Sequence, residues 1–182
     1  MPHRCLNQRR NSGACFDATG TYRYSLWRVW NWTSPRLAFI MLNPSTADAQ
    51  CDDATIRRCI GFAQSWGYGS LEVVNLFSLR TPYPQTLRQV ADPVGADCDA
   101  HLLAAVERAE QVIVAWGNWG GLYSRDQVVL DLLVAPRLHT KLYCLGMNQS
   151  GQPCHPLYLK RDVQPLPFGC SDSIQSRIKA FT

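Results

Sequence analysis

Two asparagines and a histidine stand at points where the sequence passes from apolar runs into polar loops. Asn43 follows the run 38–42, and Asn75 lies near the end of the run 71–77. His155 lies on a proline-rich loop, before an aromatic residue and two cations. A carboxamide carries one acceptor and two donors on a planar group, which suits the edge of a heterocyclic base. Asn75 therefore either bonds neighbouring backbone or reads a ligand in a crevice, and the simpler alternative for His155 is an incidental loop residue.

Further polar side chains come directly after the first of these runs. Pro44 cannot continue a central strand and pushes Asn43 out of the helical region, so the strand must end there. In open parallel sheets, the loops at the carboxyl ends of the strands form the ligand crevice. The polar residues of this loop would therefore lie where a site is expected, although an ordinary Asn-Pro turn fits the same residues. They are Asn43, Ser45, Thr46 and Asp48.

Alternating strand and helix patterns position these loops. The predicted strands cover 37–42, 71–77, 111–116 and 141–145, and the predicted helices cover 52–67, about 96–109 and 124–134. Four short apolar runs separated by helical patterns are typical of a parallel sheet with helices on both faces. The sequence therefore predicts an α/β fold, a single-domain three-layer sandwich around a four-stranded parallel central sheet.

The segments outside this core are predicted from weaker patterns. The aromatic stretch 22–30 alternates and is predicted to be a strand. It is expected to pair with 37–42 as an N-terminal edge β-hairpin, which assigns residues 20–35 to the hairpin. The core then covers about 36–162, and residues 163–182 form a C-terminal tail.

Composition limits the class of protein. The chain has 182 residues, 46% hydrophobic and 18% charged, which suits one globular domain, and its net charge of +4 is a mild hint of an anionic partner. No run of 18 apolar residues exists, and the start lacks the apolar segment of a signal peptide, so a cytoplasmic protein without a membrane span is expected. The eight cysteines contain no Cys-x-x-Cys pair, so we expect reduced thiols, no metal and no cofactor. A metal at Cys5 and Cys15, or at Cys154 and His155, is the minor alternative. The glycines at 117, 120 and 121 form neither a dinucleotide fingerprint nor a phosphate loop.

Taken together, the loops resemble those of the uracil-DNA glycosylase superfamily. That superfamily begins its site with a strand ending in Asp-Pro or Asn-Pro and reads the base with an Asn near the end of the next strand. It then has a strand ending in Trp-Gly and a His-Pro loop that enters the minor groove. The resemblance covers about residues 36–162. Its four motifs occur here in the same order: Leu42-Asn43-Pro44, Val74-Asn75-Leu76, Ala115-Trp116-Gly117 and His155-Pro156-Leu157.

The first loop also resembles a second, more specific group. Residues 43–48, Asn-Pro-Ser-Thr-Ala-Asp, together with Asp53, Thr55 and Arg58, are similar to a little-characterised bacterial and phage domain family that fits as a divergent branch of the superfamily. Asn43 stands where the standard uracil enzymes have a catalytic Asp. The mismatch-specific branch of the superfamily also has Asn at this position. Ser45 stands where the standard enzymes have a Tyr that excludes thymine. The small Ser45 implies room for a substituent on C5, and hence a modified pyrimidine.

The resemblance implies a role for each site residue in a base-flipping glycosylase. Asn43 would position the attacking water, His155 would donate to the departing base, and Asn75 would hold the base edge. The missing carboxylate would come from Asp48, Asp52 or Asp53. Ser45 and Thr46 would bond a hydroxylated substituent, together with Asn118 and Gln149. Phe77 is a candidate to stack on the base, although a place in the core is the simpler role for it. The expected DNA contacts are Leu157 or Tyr158 as a wedge and Lys160, Arg161 and Arg58 at phosphates.

Two alternatives from other classes fit the same residues. One is a non-catalytic nucleic-acid-binding or sensing module on this fold, which the amide at Asn43 favours and His155 disfavours. The other is a small-molecule nucleoside hydrolase that uses the same crevice. The expected partner is DNA, either duplex with a flipped base or single-stranded, and the protein is expected to act as a monomer. Substituted pyrimidines such as hydroxymethylated or glucosylated bases are typical of phage DNA, so a defence role is conceivable.

Overall fold

The structure, a computed structural model, describes residues 4–5, 11–134 and 136–169. The described residues contain eight strands and three α-helices, with short 3₁₀ turns between them. The strands are β1 (Arg4–Cys5), β2 (Ser12–Phe16), β3 (Arg23–Val29), β4 (Arg36–Met41), β5 (Ser70–Asn75), β6 (Gln111–Val114), β7 (Leu142–Cys144) and β8 (Leu166–Pro167). The helices are α1 (Ala54–Ser65), α2 (Cys98–Arg108) and α3 (Arg125–Val134). These bounds confirm the predicted helices and the five predicted strands to within about two residues at most ends.

All eight strands belong to one mixed sheet in the order β1-β2-β3-β5-β4-β6-β7-β8. β4 pairs in parallel with β5 and β6, and β6 pairs in parallel with β7. The remaining strands extend the sheet with antiparallel pairs on both sides. The α/β class is thus correct, but a four-stranded sheet is too small for the described part of the chain.

The predicted N-terminal hairpin is wrong in its partner. β3 pairs antiparallel with β2 and with β5, through pairs such as Leu26 with Val73, and not with β4. An alternating aromatic pattern identifies a half-buried strand but carries no information about which neighbour completes its hydrogen bonds. The segment predicted as a C-terminal tail also joins the sheet, since β8 pairs antiparallel with β7. Residues 170–182 lie outside the described part.

The helices cover both faces of the sheet. Alternate residues of β4 point to opposite faces, and both sets are buried. Leu37, Phe39 and Met41 pack in one cluster with the inner side of α1. Ala38 and Ile40 pack in the other cluster with α2 and α3. Burial on both faces explains why β4 is a continuous apolar run, since each fully buried side chain of this kind contributes about 1.5–3 kcal/mol.

Asp53 and Gly67 mark the two ends of the first helix. The carboxylate of Asp53 accepts a hydrogen bond from the backbone N–H of Ile56 at 2.8 Å and caps the first turn. Gly67, with φ of +83°, takes the left-handed conformation just after the end of α1. The amino end of α1 is thereby fixed beside the loop that follows β4. Within the described residues, no helix has the length and apolar character needed to cross a membrane.

Candidate functional site

The predicted site residues lie along the carboxyl edge of the parallel strands. Asn75 is the last residue of β5 and pairs with Met41, two residues before Asn43. Gly117 follows β6 at the same edge. A Cβ built on Gly117 would lie 3.7 Å from the Cβ of His155, which brings the late loop against this edge. The fold therefore gathers residues from three strand ends and one distant loop.

Asn43 is held by the backbone that follows it. Its Nδ2 donates to the carbonyl of Pro44 at 3.0 Å and to that of Thr81 at 2.7 Å. The backbone N–H of Thr81 in turn donates to the Pro44 carbonyl at 2.9 Å. Because carbonyls can only accept, these contacts fix which end of the amide is the nitrogen. The Asn43 oxygen is left as an acceptor, suited to orienting a water molecule.

Asn75 is buried, with only 3% of its surface exposed. By alternation it shares a strand face with Leu71 and Val73, which pack on the α1 side of the sheet. Its Oδ1 is buried without a hydrogen-bond partner among the described residues. An orphaned buried acceptor of this kind costs about 1–3 kcal/mol, and a catalytic or binding role is one of the explanations for such a group.

The loop after β4 is clamped by three arginines that donate to four consecutive carbonyls. These carbonyls belong to residues 45–48, so the backbone of the predicted base-binding loop is fixed from one side. Arg80 donates to Ser45 at 3.2 Å and Thr46 at 3.1 Å, Arg23 donates to Ala47 at 2.9 Å, and Arg28 donates to Asp48 at 2.7 Å. Ser45 is half-buried and Thr46 is exposed. Sequence reasoning missed this clamp, because its arginines come from β3 and from the loop after β5.

Arg23 places a positive charge beneath this loop. It is 2% exposed, its Nε is buried without a hydrogen-bond partner, and it forms no salt bridge with a described residue. Burial lowers its pKa to about 10, against the opposing field of Asp53. The guanidinium remains charged at neutral pH and gives the floor of the site a positive potential in a poorly solvated environment.

The three candidate carboxylates are all engaged in structure. Asp48 accepts two backbone N–H bonds of its own loop at 2.8 Å each, and these bonds lower its pKa. Asp52 forms a salt bridge with Arg28 at 2.7 Å. Asp53 caps α1 and is the carboxylate whose field reaches the imidazole of His155. Of the three, Asp53 is therefore the best placed to act together with His155.

The surroundings of His155 favour its neutral form and fix the orientation of its ring. Burial lowers its pKa below the usual value, and Asp53 opposes that shift. The backbone N–H of Leu157 donates to Nδ1 at 3.3 Å, which assigns the proton of the neutral ring to Nε2. The ring packs at a tilt against Tyr158, with centroids 5.6 Å apart. His155 can thus offer a neutral N–H donor, and a positioned donor of this kind can stabilise an oxygen as it gains negative charge.

A chain of side chains anchors the loop that carries His155. Trp116 donates from Nε1 to the Oε1 of Gln152 at 2.6 Å, and Gln152 donates from Nε2 to Asp126 at 2.8 Å. The backbone N–H of Gly117 adds a bond to the carbonyl of Pro153 at 3.0 Å. Sequence reasoning missed Gln152 and Asp126, since no local pattern links them. Nearby, Asn118 accepts from Ser150 at 2.8 Å, so a predicted substituent-binding residue is already bonded.

The predicted DNA-binding residues differ in exposure. Tyr158 is 84% exposed and Leu157 is 39% exposed, so both protrude from the 3₁₀ turn that follows His155. Lys160 and Arg161 are exposed just beyond them. Arg58 instead donates to the carbonyl of Leu159 and lies over the ring of Phe62, so it braces the loop.

Of the two roles expected for Phe77, the structure shows the core role and not the stacking role. Phe77 has no exposed surface and packs in the cluster with α2 and α3, on the other face of the sheet from α1. The sequence around an aromatic residue near a strand end does not show on which face of the sheet its side chain will be buried. No group of three metal-ligating side chains occurs in the described ranges.

Comparison with known proteins gives a family. No curated protein and no solved structure matched the chain. Residues 23–157, which include β3 to β7 and His155, match the family described as "Protein of unknown function (DUF1643)", and the chain therefore belongs to that family.

Proposed function

We propose that this protein is a DNA N-glycosylase that flips out a modified pyrimidine and hydrolyses its glycosidic bond. The observation that carries the proposal is the buried, unpartnered oxygen of Asn75 at the carboxyl edge of the sheet. A pyrimidine edge offers N–H donors to such an oxygen, and the carboxamide can turn over to suit a uracil-like or a cytosine-like edge. Because the oxygen is sealed from solvent, the base reaches it only when this side chain turns or the clamped loop gives way.

The remaining residues supply the chemistry. The bond between C1′ and the base nitrogen breaks, and its electron pair leaves with the base. The Nε2–H of His155 stabilises the negative charge that develops on the base oxygen. A water molecule oriented by the Oδ1 of Asn43 attacks C1′, and its proton is released as the abasic sugar forms. Asp53 and the buried charge of Arg23 set the local field in which these charges develop.

The loop at Ser45 supports a substituted base. Ser45 and Thr46 have small polar side chains, and their loop is held from behind by Arg80. A site whose polar groups are satisfied only by a substituent discriminates against the bare base by up to about 10⁴-fold. The proposed substrate class is therefore a pyrimidine with a hydroxylated C5 group, such as 5-hydroxymethylcytosine or its glucosylated form. Action by a monomer in the cytoplasm, on foreign DNA that carries such bases, is part of the same proposal.

The test is abasic-site formation. Purified protein is incubated with duplexes and single strands that contain uracil, thymine, 5-hydroxymethylcytosine or glucosylated 5-hydroxymethylcytosine, followed by alkaline cleavage. We expect strand cleavage at a modified base and none in the His155→Asn variant. The Asn148→Ala variant is the matched control, because Asn148 lies on the same loop but bonds Cys154. Equal or better action on plain uracil would contradict the modified-base assignment.

A non-catalytic DNA-sensing module is the second candidate. It is favoured by the engagement of Asp48, Asp52 and Asp53 in structural contacts, which leaves the amide of Asn43 where a carboxylate would activate water. Binding to a modified-base duplex with no abasic product, and with affinity lost in Asn75→Leu, would establish this alternative.

A further inference from the structure

A basic groove runs along the outer surface of α1, beside the loop that carries His155. Its volume is about 730 Å³, and its lining includes Arg57, Gly61, Leu157 and Arg161. Arg57 and Arg161 are exposed and form no salt bridge with a described residue. Two guanidinium groups therefore face the groove without a compensating carboxylate, which gives it a positive field.

Small residues of α1 line part of this groove. Ala54, Gly61 and Ser65 lie along it, and Arg58 and Phe62 of the same helix also line it. The three small residues span eleven residue steps, or about 16 Å of helix axis at 1.5 Å per residue. A nucleic-acid strand carries one phosphate per about 3.4 Å of duplex axis, so this length has room for about four to five nucleotides.

Gly61 is not explained by the packing of the protein itself. It lies in the interior of α1, where glycine is unfavourable relative to alanine. Its backbone does not need a left-handed conformation, and a Cβ built on it would meet nothing within 4 Å. A glycine of this kind is useful where another backbone approaches closely. It leaves an unobstructed path between the arginines.

We infer that this groove binds the phosphodiester backbone of the DNA strand beside the flipped nucleotide. The inference rests on the proposed function for its choice of DNA, and it extends that function to a surface on α1. Guanidinium groups bind phosphate oxygens through paired N–H bonds. The exposed Leu157 at the groove and Tyr158 next to it offer apolar surface to the sugars and bases of the same strand.

The test measures binding to unmodified DNA, which requires no base release. One variant combines Arg57→Gln with Arg161→Gln, and a second variant carries Gly61→Gln alone. The matched control is Arg137→Gln, because Arg137 is an exposed arginine on the turn after α3. Dissociation constants are measured by fluorescence anisotropy between about 50 and 200 mM salt, the range over which phosphate contacts change affinity most visibly.

We expect the double arginine variant to bind DNA at least about tenfold more weakly. The slope of the logarithm of the binding constant against the logarithm of the salt concentration should become shallower by about 1.4 to 1.8, the value for two lost phosphate contacts. Gly61→Gln should weaken binding at unchanged charge, and Arg137→Gln should change neither quantity comparably. Unchanged binding in the double variant, an equal loss in Arg137→Gln, or competition by poly-glutamate as effective as that by DNA would overturn the inference. If the wild type releases a base and the groove variants bind DNA as the wild type does, the groove inference is wrong and the glycosylase proposal stands. If binding depends on the groove residues and no base is released, the glycosylase proposal is wrong and the groove inference stands.

Discussion

The carboxylate of Asp53 and the imidazole of His155 act on each other at the amino end of α1. Asp53 caps the helix through the N–H of Ile56, and its negative charge raises the pKa of His155 against the larger lowering effect of burial. Asp53 therefore caps α1 and also shifts the pKa of His155, which lies on a loop far along the chain. This coupling links the position of α1 to the protonation of the proposed donor.

Replacing Asp53 by Asn should separate its two roles. Asparagine caps helices about as well as aspartate, so α1 should keep its amino end. The loss of the negative charge should lower the pKa of His155 further below that of the wild type. An NMR titration of the imidazole protons measures this. Asp52→Asn is the control, because Asp52 is paired with Arg28, and an unchanged pKa in Asp53→Asn would contradict the coupling.

The half-buried His155 should also make stability depend on pH. Its pKa is lowered in the folded protein, so between that value and the unfolded value of about 6.5 only the unfolded chain binds the proton. The free energy of unfolding should therefore fall as pH decreases below about 6.5. His155→Asn, which can still accept the N–H of Leu157, should lose less stability over the same range. Urea unfolding of both proteins at pH about 7.5 and about 5.5 measures the difference, and parallel losses would contradict it.

Much of this arrangement follows from the sequence, but the contacts that hold it do not. The apolar run before Asn43 predicts a strand buried on both faces, and Pro44 predicts where that strand ends; both are local consequences of burial and of proline geometry. The arginine clamp is different, since Arg23 lies on β3 and bonds Ala47 only because β3 pairs with β5. Strand order is decided by packing over the whole domain, so a local pattern cannot give it.

Asn75→Leu should raise stability while it removes function. The substitution replaces a buried amide whose oxygen has no hydrogen-bond partner among the described residues by an apolar side chain of similar size, which should relieve about 1–3 kcal/mol. The proposed base reading requires the amide, so base release should be lost. Chemical denaturation and the abasic-site assay measure the two effects on the same preparation. If the Asn75→Leu variant unfolds more easily than the wild type, the amide stabilises the fold instead.

Gly61→Ala should stabilise the protein by about 0.5–1 kcal/mol, since alanine is the better helix former. The added Cβ meets nothing within 4 Å. Thermal and urea unfolding measure the gain. Gly13→Ala is the contrasting variant, because its Cβ would lie 2.2 Å from the indole of Trp27, and it should destabilise. A destabilised Gly61→Ala variant would mean that α1 itself requires the glycine.

Gly120→Ala should damage the loop that carries His155, whereas Gly121→Ala should not. Gly120 has φ of −57°, which alanine adopts without strain. A Cβ there would lie 2.0 Å from the indole of Trp116, and it would push the indole off its hydrogen bond to Gln152. At Gly121 the nearest atom would be the Gln152 Nε2 at 3.4 Å, a tolerable contact with a flexible side chain.

We expect Gly120→Ala to lose about 1–3 kcal/mol of stability, the usual cost of overpacking a tight site. Because the Trp116–Gln152–Asp126 chain anchors the late loop, the variant should also change the NMR environment of His155 and lower base release. Gly121→Ala should resemble the wild type in both measurements. Equal behaviour of the two alanine variants would mean that the position of His155 does not depend on the indole contact, and that the backbone bond from Gly117 to Pro153 is sufficient to hold the loop.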